Sequence, residues 1–371
     1  MSTLPPFPLI GRTSELNILH GELDAAGAAN GGVVFLAGDG GVGKTRLAAT
    51  VLLEAKQLGW SVALGRAFAA ESGVPYSLFA DAFLPVLHAM PEELRTVITR
   101  GVEAELAELF PSLAAYAEPM AARSGMPLPD LKNRLLWNFT KVLKALAARA
   151  PTLVVLEDLQ WADASSLEML HFVARQTADD RLLIVCTYNS DLRDDNPALV
   201  AAERSLLSLG HARVIALRPI AFNETAELLE RMFDVSSAVT ANFAALLYGW
   251  TRGNPFFITE ILQALIAGER VHKVGDRWIG WDVEQLDLPP SIRDAIMLRA
   301  ARLSNHARTI VELMAVHGRQ ISFELLAAHA ALRERDLVEA LKELTRAHFV
   351  EERTHGSAIW YDFSHPLTRE A

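Results

Sequence analysis

Apolar and polar positions along this chain follow two periods that alternate. Short runs at 33–37, 60–66, 151–158, 181–188 and 212–217 are apolar and partly β-branched, as expected of strands buried in a parallel sheet. Between them, apolar residues recur at helical spacing. Leu16, Ile18, Leu19 and Leu23 mark a helix over 14–26, and Leu78, Phe79, Phe83, Leu84 and Leu87 mark another that Ser77 can cap. Further helices are predicted over 128–148, from about 164 with Leu167, Leu170 and Val173 on the buried face, and over 197–209. Ser165 or Asp163 is the expected cap of the helix near 164. The Ala- and Leu-rich stretch 91–126, broken by Pro111 and Pro119, reads as short helices beside the sheet. Strands alternating with helices in this way predict an α/β fold with a parallel sheet and a ligand at the C-terminal ends of its strands.

The pattern changes after Pro219. Helices are predicted over 223–233, 236–248 and from Gly253 and Pro255 to 267, followed by a hairpin over 271–281 that turns at Gly275 and Asp276. Pro289 and Pro290 mark a boundary, after which helices are predicted over 291–303, 307–317, 323–330 and 334–347. Strands at 349–352 and 359–363 flank the turn THGS. Helices ending in a β-hairpin form the winged-helix pattern, which can read DNA. The segment 334–346 is mixed in charge rather than basic, which favours a packing module. The expected division is a nucleotide-binding domain over 1–218, a helical subdomain over 219–288 and a winged-helix-like subdomain over 289–371. The closing SHPLTREA reads as the opening of a helix, so the chain is expected to be part of a longer protein.

The chemistry concentrates at 38–45, where GDGGVGKT gives GxxxxGKT between an apolar strand and a helix. Gly38, Gly40, Gly41 and Gly43 let the backbone N–H groups approach a phosphate without a Cβ in the way, and the loop forms an anion nest. Lys44 supplies a point charge for the β- and γ-phosphates and Thr45 a hydroxyl for Mg²⁺. The N-terminus of the following helix adds its positive dipole end. Asp39, Val42 and Arg46 complete the expected phosphate-binding stretch. A second point is PTLVVLED at 151–158, an apolar strand ending in two carboxylates. Mg²⁺ takes hard oxygen ligands, and an adjacent acid can activate the attacking water. Glu157 is the candidate for the metal and Asp158 for the water, with the roles exchangeable on sequence alone. Asn189, at the end of the next strand, either faces the γ-phosphate or is a loop asparagine.

Composition narrows the partners. The chain has 371 residues, 51% hydrophobic and 22% charged, which fits two or three globular domains. Its net charge of −10 and lack of a long Lys/Arg cluster disfavour direct DNA binding. The one cysteine, Cys186, lies in an apolar run and reads as a small buried hydrophobe, so no disulfide forms within the chain. The N-terminus lacks the regions of a signal peptide and no apolar run is long enough to span a bilayer. A cytoplasmic protein without membrane contact is expected.

LIGRTSEL, GDGGVGKT, VVLEDLQWAD, GNPFF and YDFSHPLTREA, in this order, resemble the STAND ATPases, a signal-transduction branch of the AAA+ NTPases. The likeness is to the N-terminal ATPase module of large LuxR-type transcription regulators and related multidomain signalling proteins. It implies a nucleotide-binding subdomain, a helical subdomain and a winged helix that hold ADP or ATP with Mg²⁺. It also implies self-association in the ATP state and sensor or effector domains beyond this chain. By the same resemblance, Leu9, Ile10 and Arg12 match the segment lying against adenine, although Thr13 stands where relatives often have Glu. Taken by itself, LIGR also reads as a strand-like lead into the first helix. Pro255 matches the proline that packs near the base. His365 resembles the histidine that touches the β-phosphate of ADP in related switches, and is equally a structural histidine beside a wing. Glu157 in place of Asp has a precedent in the EDLHWAD form of relatives. Asn189 replaces an arginine common among them, which implies slow hydrolysis because a charge near the transition state is absent.

Overall fold

The computed structural model describes residues 7–102, 128–275, 277–283, 288–317, 320–347, 349–355 and 358–371. The chain forms two compact units: Arg12–Leu217, and Arg218–Ala371 together with the segment that ends at Gly11.

The first unit runs α1 (Thr13–Gly27), β1 (Gly32–Gly38), α2 (Lys44–Gln57), β2 (Ser61–Arg66), α3 (Ser77–Ala89), α4 (Glu92–Thr99), α5 (Leu128–Arg149), β3 (Thr152–Glu157), α6 (Ala164–Gln176), β4 (Leu182–Asn189), α7 (Pro197–Ser208) and β5 (Ala212–Ala216). The five strands pair in parallel in the order β2-β3-β4-β1-β5. The three inner strands are buried along almost their whole length, which is why they read as continuous apolar runs; the edge strands β2 and β5 are partly exposed. Phe79 and Phe83 of α3 meet the edge of Phe139 of α5 at 5.4 and 5.2 Å, in the centre of the apolar layer beside the sheet. Asp163 caps α6 by accepting from Ser166 N at 2.9 Å. Of the short helices expected over 91–126, α4 is present and residues 103–126 lie outside the described residues.

Register then decides what faces what. Gly38 of β1 lies opposite Asn189 of β4, and Arg66 of β2 opposite Glu157 of β3. Because the strands are parallel, these four residues, each the last of its strand, stand together at the C-terminal end of the sheet, where β4 separates the loop-bearing strand from the acidic one.

The second unit opens with α8 (Phe222–Phe233), α9 (Ser237–Thr251) and α10 (Pro255–Ala267), then the antiparallel hairpin β6 (His272–Val274) and β7 (Arg277–Ile279). Its later part holds α11 (Pro290–Ala300), α12 (Asn305–His317), β8 (Gln320–Ser322), α13 (Phe323–His329), α14 (Glu334–Arg346), β9 (Val350–His355), β10 (Ala358–Phe363) and α15 (Pro366–Glu370). β10 is central in an antiparallel sheet ordered β8-β10-β9, which with the helices makes a winged-helix-like subdomain. β8 was not anticipated, since three residues are too few to show a period. Phe233, Phe243 and Trp281 pack ring against ring in this unit's core. Asp276 and, in the expected THGS turn, Gly356 and Ser357 lie outside the described residues. Residues 7–10 form no strand.

Candidate nucleotide site

The loop between β1 and α2 has the local geometry its sequence calls for. Gly41 and Gly43 take φ of +83° and +100°, a region closed to most side chains, whereas Gly40 does not need it. Lys44 is the first residue of α2 and is buried. Its Nζ donates to the Gly38 and Asp39 carbonyls, each at 2.8 Å, so the ammonium is folded onto its own loop. Burial lowers its pKa, opposed by the carboxylates of Asp158, Asp39 and Asp191, in that order. Thr45 and Arg46 follow on the exposed side of the first turn, and Val42 is buried. Arg12, itself buried, donates from Nη2 to the Val42 carbonyl at 2.9 Å and pairs with Glu15 at 3.2 Å. This charged hydrogen bond braces the phosphate loop.

The acidic end of β3 lies across β4. Glu157 is buried, and Asp158 follows in the left-handed region at φ +61°, an unusual place for a residue with a Cβ. Arg66 donates from Nε to Glu157 Oε2 at 3.0 Å and from Nη2 to the same oxygen, and its Nε is 3.6 Å from Asp158 Oδ2. The Asp158 amide donates to Thr187 Oγ1 at 3.1 Å. Gln160, also buried, donates from Nε2 to Asp158 Oδ1 at 3.1 Å and accepts from the Asn189 amide at 3.0 Å. A Cβ added to Gly40 would lie 3.9 Å from Asn189 Nδ2, so the side chain of Asn189 faces the phosphate loop.

Sequence reasoning missed three groups here: Arg66, Gln160 and Thr187. Gln160 lies within the LQWAD stretch, next to the acids, and a polar residue there was the available signal. Arg66 and Thr187 reach the acids only through strand register, which leaves no local mark.

Leu9, Ile10, Pro255 and His365 belong to the second unit. Ile10 is buried in that unit's apolar core, and Pro255 opens α10 behind the Asn254 cap, which accepts from Phe256 N at 3.1 Å. His365 precedes α15, with its ring 5.8 Å from that of Phe257, edge to face. A cavity of about 810 Å³ in the same unit is lined by Trp250, Arg252 and Arg353 among others, and by none of the candidate nucleotide- or metal-binding residues.

The donor set fits a magnesium nucleotide. The loop offers backbone N–H groups and a helix N-terminus to phosphate, Lys44 a cation, and Thr45, Glu157 and Asp158 hard oxygens. Among the described residues no group of three or more His, Cys, Asp or Glu forms a metal cluster.

A family described as AAA ATPase domain matches residues 8–185, which include the phosphate loop and both acids. The fold is that of a P-loop, AAA+-type ATPase, and the Lys44 contacts together with this match support ATP-binding and ATP-hydrolysing activity. An uncharacterized protein, R02095 of Rhizobium meliloti (strain 1021), is 23% identical over 98% of this chain and 35% of its own length. The chain thus spans about a third of that curated relative. Solved structures similar to it include Drosophila ORC bound to DNA, with 12% identity, a TM-score of 0.43, and coverage of 99% of this chain and 87% of that one. Another is a STAND protein with a tetratricopeptide repeat sensor from Pyrococcus horikoshii, with 15% identity, a TM-score of 0.36, and coverage of 99% and 43%. At these values neither structure assigns a function to this chain.

The expectation that direct DNA binding by this chain is unlikely is corrected, because the ground given for it does not exclude a DNA-binding face. The expectation rested on a net charge of −10, which is a sum over the chain and says nothing about the sign of any one face. Among the described residues no helix is long and apolar enough to cross a membrane.

Proposed function

We propose that this chain is a Mg²⁺-dependent ATPase module. Lys44 and the loop amides would hold the phosphates, with Thr45 and the acidic pair on the metal and Asp158, oriented by Gln160, next to the attacking water. The observation that carries this is the convergence at one end of the sheet of Lys44, Asp158 and Asn189, with Asp158 first among the carboxylates acting on the lysine. Asn189 offers an amide where a cation would better stabilise developing charge, so turnover is slow.

The role proposed for turnover is that of a regulatory switch, as in the STAND modules of LuxR-type regulators that the GNPFF and YDFSHPLTREA stretches resemble. ADP would hold the resting state, and exchange for ATP would favour self-association by binding the two states unequally. A second proposal is that the ATPase acts directly on DNA, as an ORC assembly bound to DNA invites, with the winged-helix-like subdomain as the element that would meet the duplex.

One set of measurements separates them: phosphate release with MgATP, particle mass by light scattering, and anisotropy of a labelled duplex, each with ADP or a non-hydrolysable ATP analogue. A rise in mass with the analogue and no DNA binding supports the switch. Salt-dependent DNA binding that varies with nucleotide supports the second role. A chain that binds no nucleotide overturns both.

A further inference from the structure

The carboxylates that would receive the metal already have a cation. Arg66 directs Nε and Nη2 to one oxygen of Glu157 and brings Nε to 3.6 Å from Asp158. The Glu157 side chain is only 5% exposed, so its charge needs a partner, and this guanidinium is the partner it has among the described residues. The Arg66 side chain, by contrast, is 42% exposed. Its backbone is pinned, by the pairing with Glu157 and by its N–H donating to Asp81 Oδ2 at 2.8 Å, while the long side chain ends at solvent.

We propose that Arg66 is a positioning residue that competes with the divalent cation for the Glu157–Asp158 pair. This rests on the ATPase reading above and names a control on its metal. A carboxylate oxygen that accepts two charged hydrogen bonds is a poor ligand for Mg²⁺, which sheds its own water reluctantly. Before the metal arrives, Arg66 acts on Glu157, Asp158 and Asp81, and Lys44 on Asp158, Asp39 and Asp191, so Asp158 already lies under two cations. A metal bound through that oxygen displaces the guanidinium from Glu157. A guanidinium stays protonated at any physiological pH, so the competition is set by metal concentration rather than by pH. The register that places Arg66 opposite Glu157 puts this device at the C-terminal end of the sheet, away from the apolar interior.

The test is a Mg²⁺ titration of fluorescent-ADP binding by the whole chain, comparing the parental protein with Arg66→Gln and Arg66→Lys. Arg66→Gln should reach half of the Mg²⁺-dependent change at about fivefold lower Mg²⁺, the size expected from losing a half-exposed ion pair. Arg66→Lys keeps the charge but loses the two-donor fork, so it should fall between the two. If Arg66→Gln does not fold, because Glu157 is left buried without a cation, Arg66→Lys decides the matter. An unchanged or higher Mg²⁺ requirement in the folded variants overturns the competition and leaves Arg66 a permanent structural partner. A parental chain that binds no nucleotide overturns the ATPase reading and the competition with it.

Discussion

Lys44 is held by two carbonyls of its own loop and by the fields of three carboxylates, so its charge is balanced in place and aimed at the loop. Removing it should cost the strongest single phosphate contact. Lys44→Ala is expected to weaken ATP binding by about 10- to 100-fold, the worth of a charged hydrogen bond, as read by titration calorimetry. Asp158 has a different job. Its backbone is tied to Thr187 and its side chain to Gln160, and Asp158→Asn keeps both bonds while removing the base. That variant should retain ATP within a few-fold and lose about 100-fold in phosphate release, whereas equal turnover would show that another group activates the water. Cys186 takes no part, because its thiol is buried in β4 and desolvation pushes its pKa up.

At the scale of elements, the strands and helices were largely legible because their signals are local. A run such as LVVLE announces a buried strand, and GxxxxGKT announces a strand, a tight loop and a helix start, whatever surrounds them. Gly253 shows where that legibility ends. The sequence marks it as a helix start, but the structure gives it φ +75° and sets its backbone against Ile220, whose amide donates to the Gly253 carbonyl at 2.9 Å. A Cβ there would fall 1.9 Å from the Ile220 carbonyl oxygen. Gly253→Ala should therefore destabilise the second unit by about 3 kcal/mol or more, combining left-handed strain with a backbone clash. Thermal melts should show this as a drop of about 6–12 °C in that unit's midpoint.

For the molecule as a whole, two compact units predict unfolding in more than one step. Saturating MgADP should raise the transition of the unit that carries the phosphate loop, by about 2.7 kcal/mol at 100 times the dissociation constant. Calorimetry with and without nucleotide reads this directly, and no shift of that transition would argue against a nucleotide site there. Whole-chain charge is a poor guide to partners at this scale, since a sum carries no information about position. What the sequence by itself determined is the α/β sheet, the phosphate loop and the acidic strand end, because each is written in contiguous residues whose backbone chemistry acts on near neighbours. What only the tertiary structure decided is which groups meet: Arg66 with Glu157, Gln160 with both Asp158 and the end of β4, and Arg12 with the loop carbonyl of Val42. Those meetings depend on strand register and helix packing, which are fixed by the burial of the whole apolar layer and not by the residues on either side of each group.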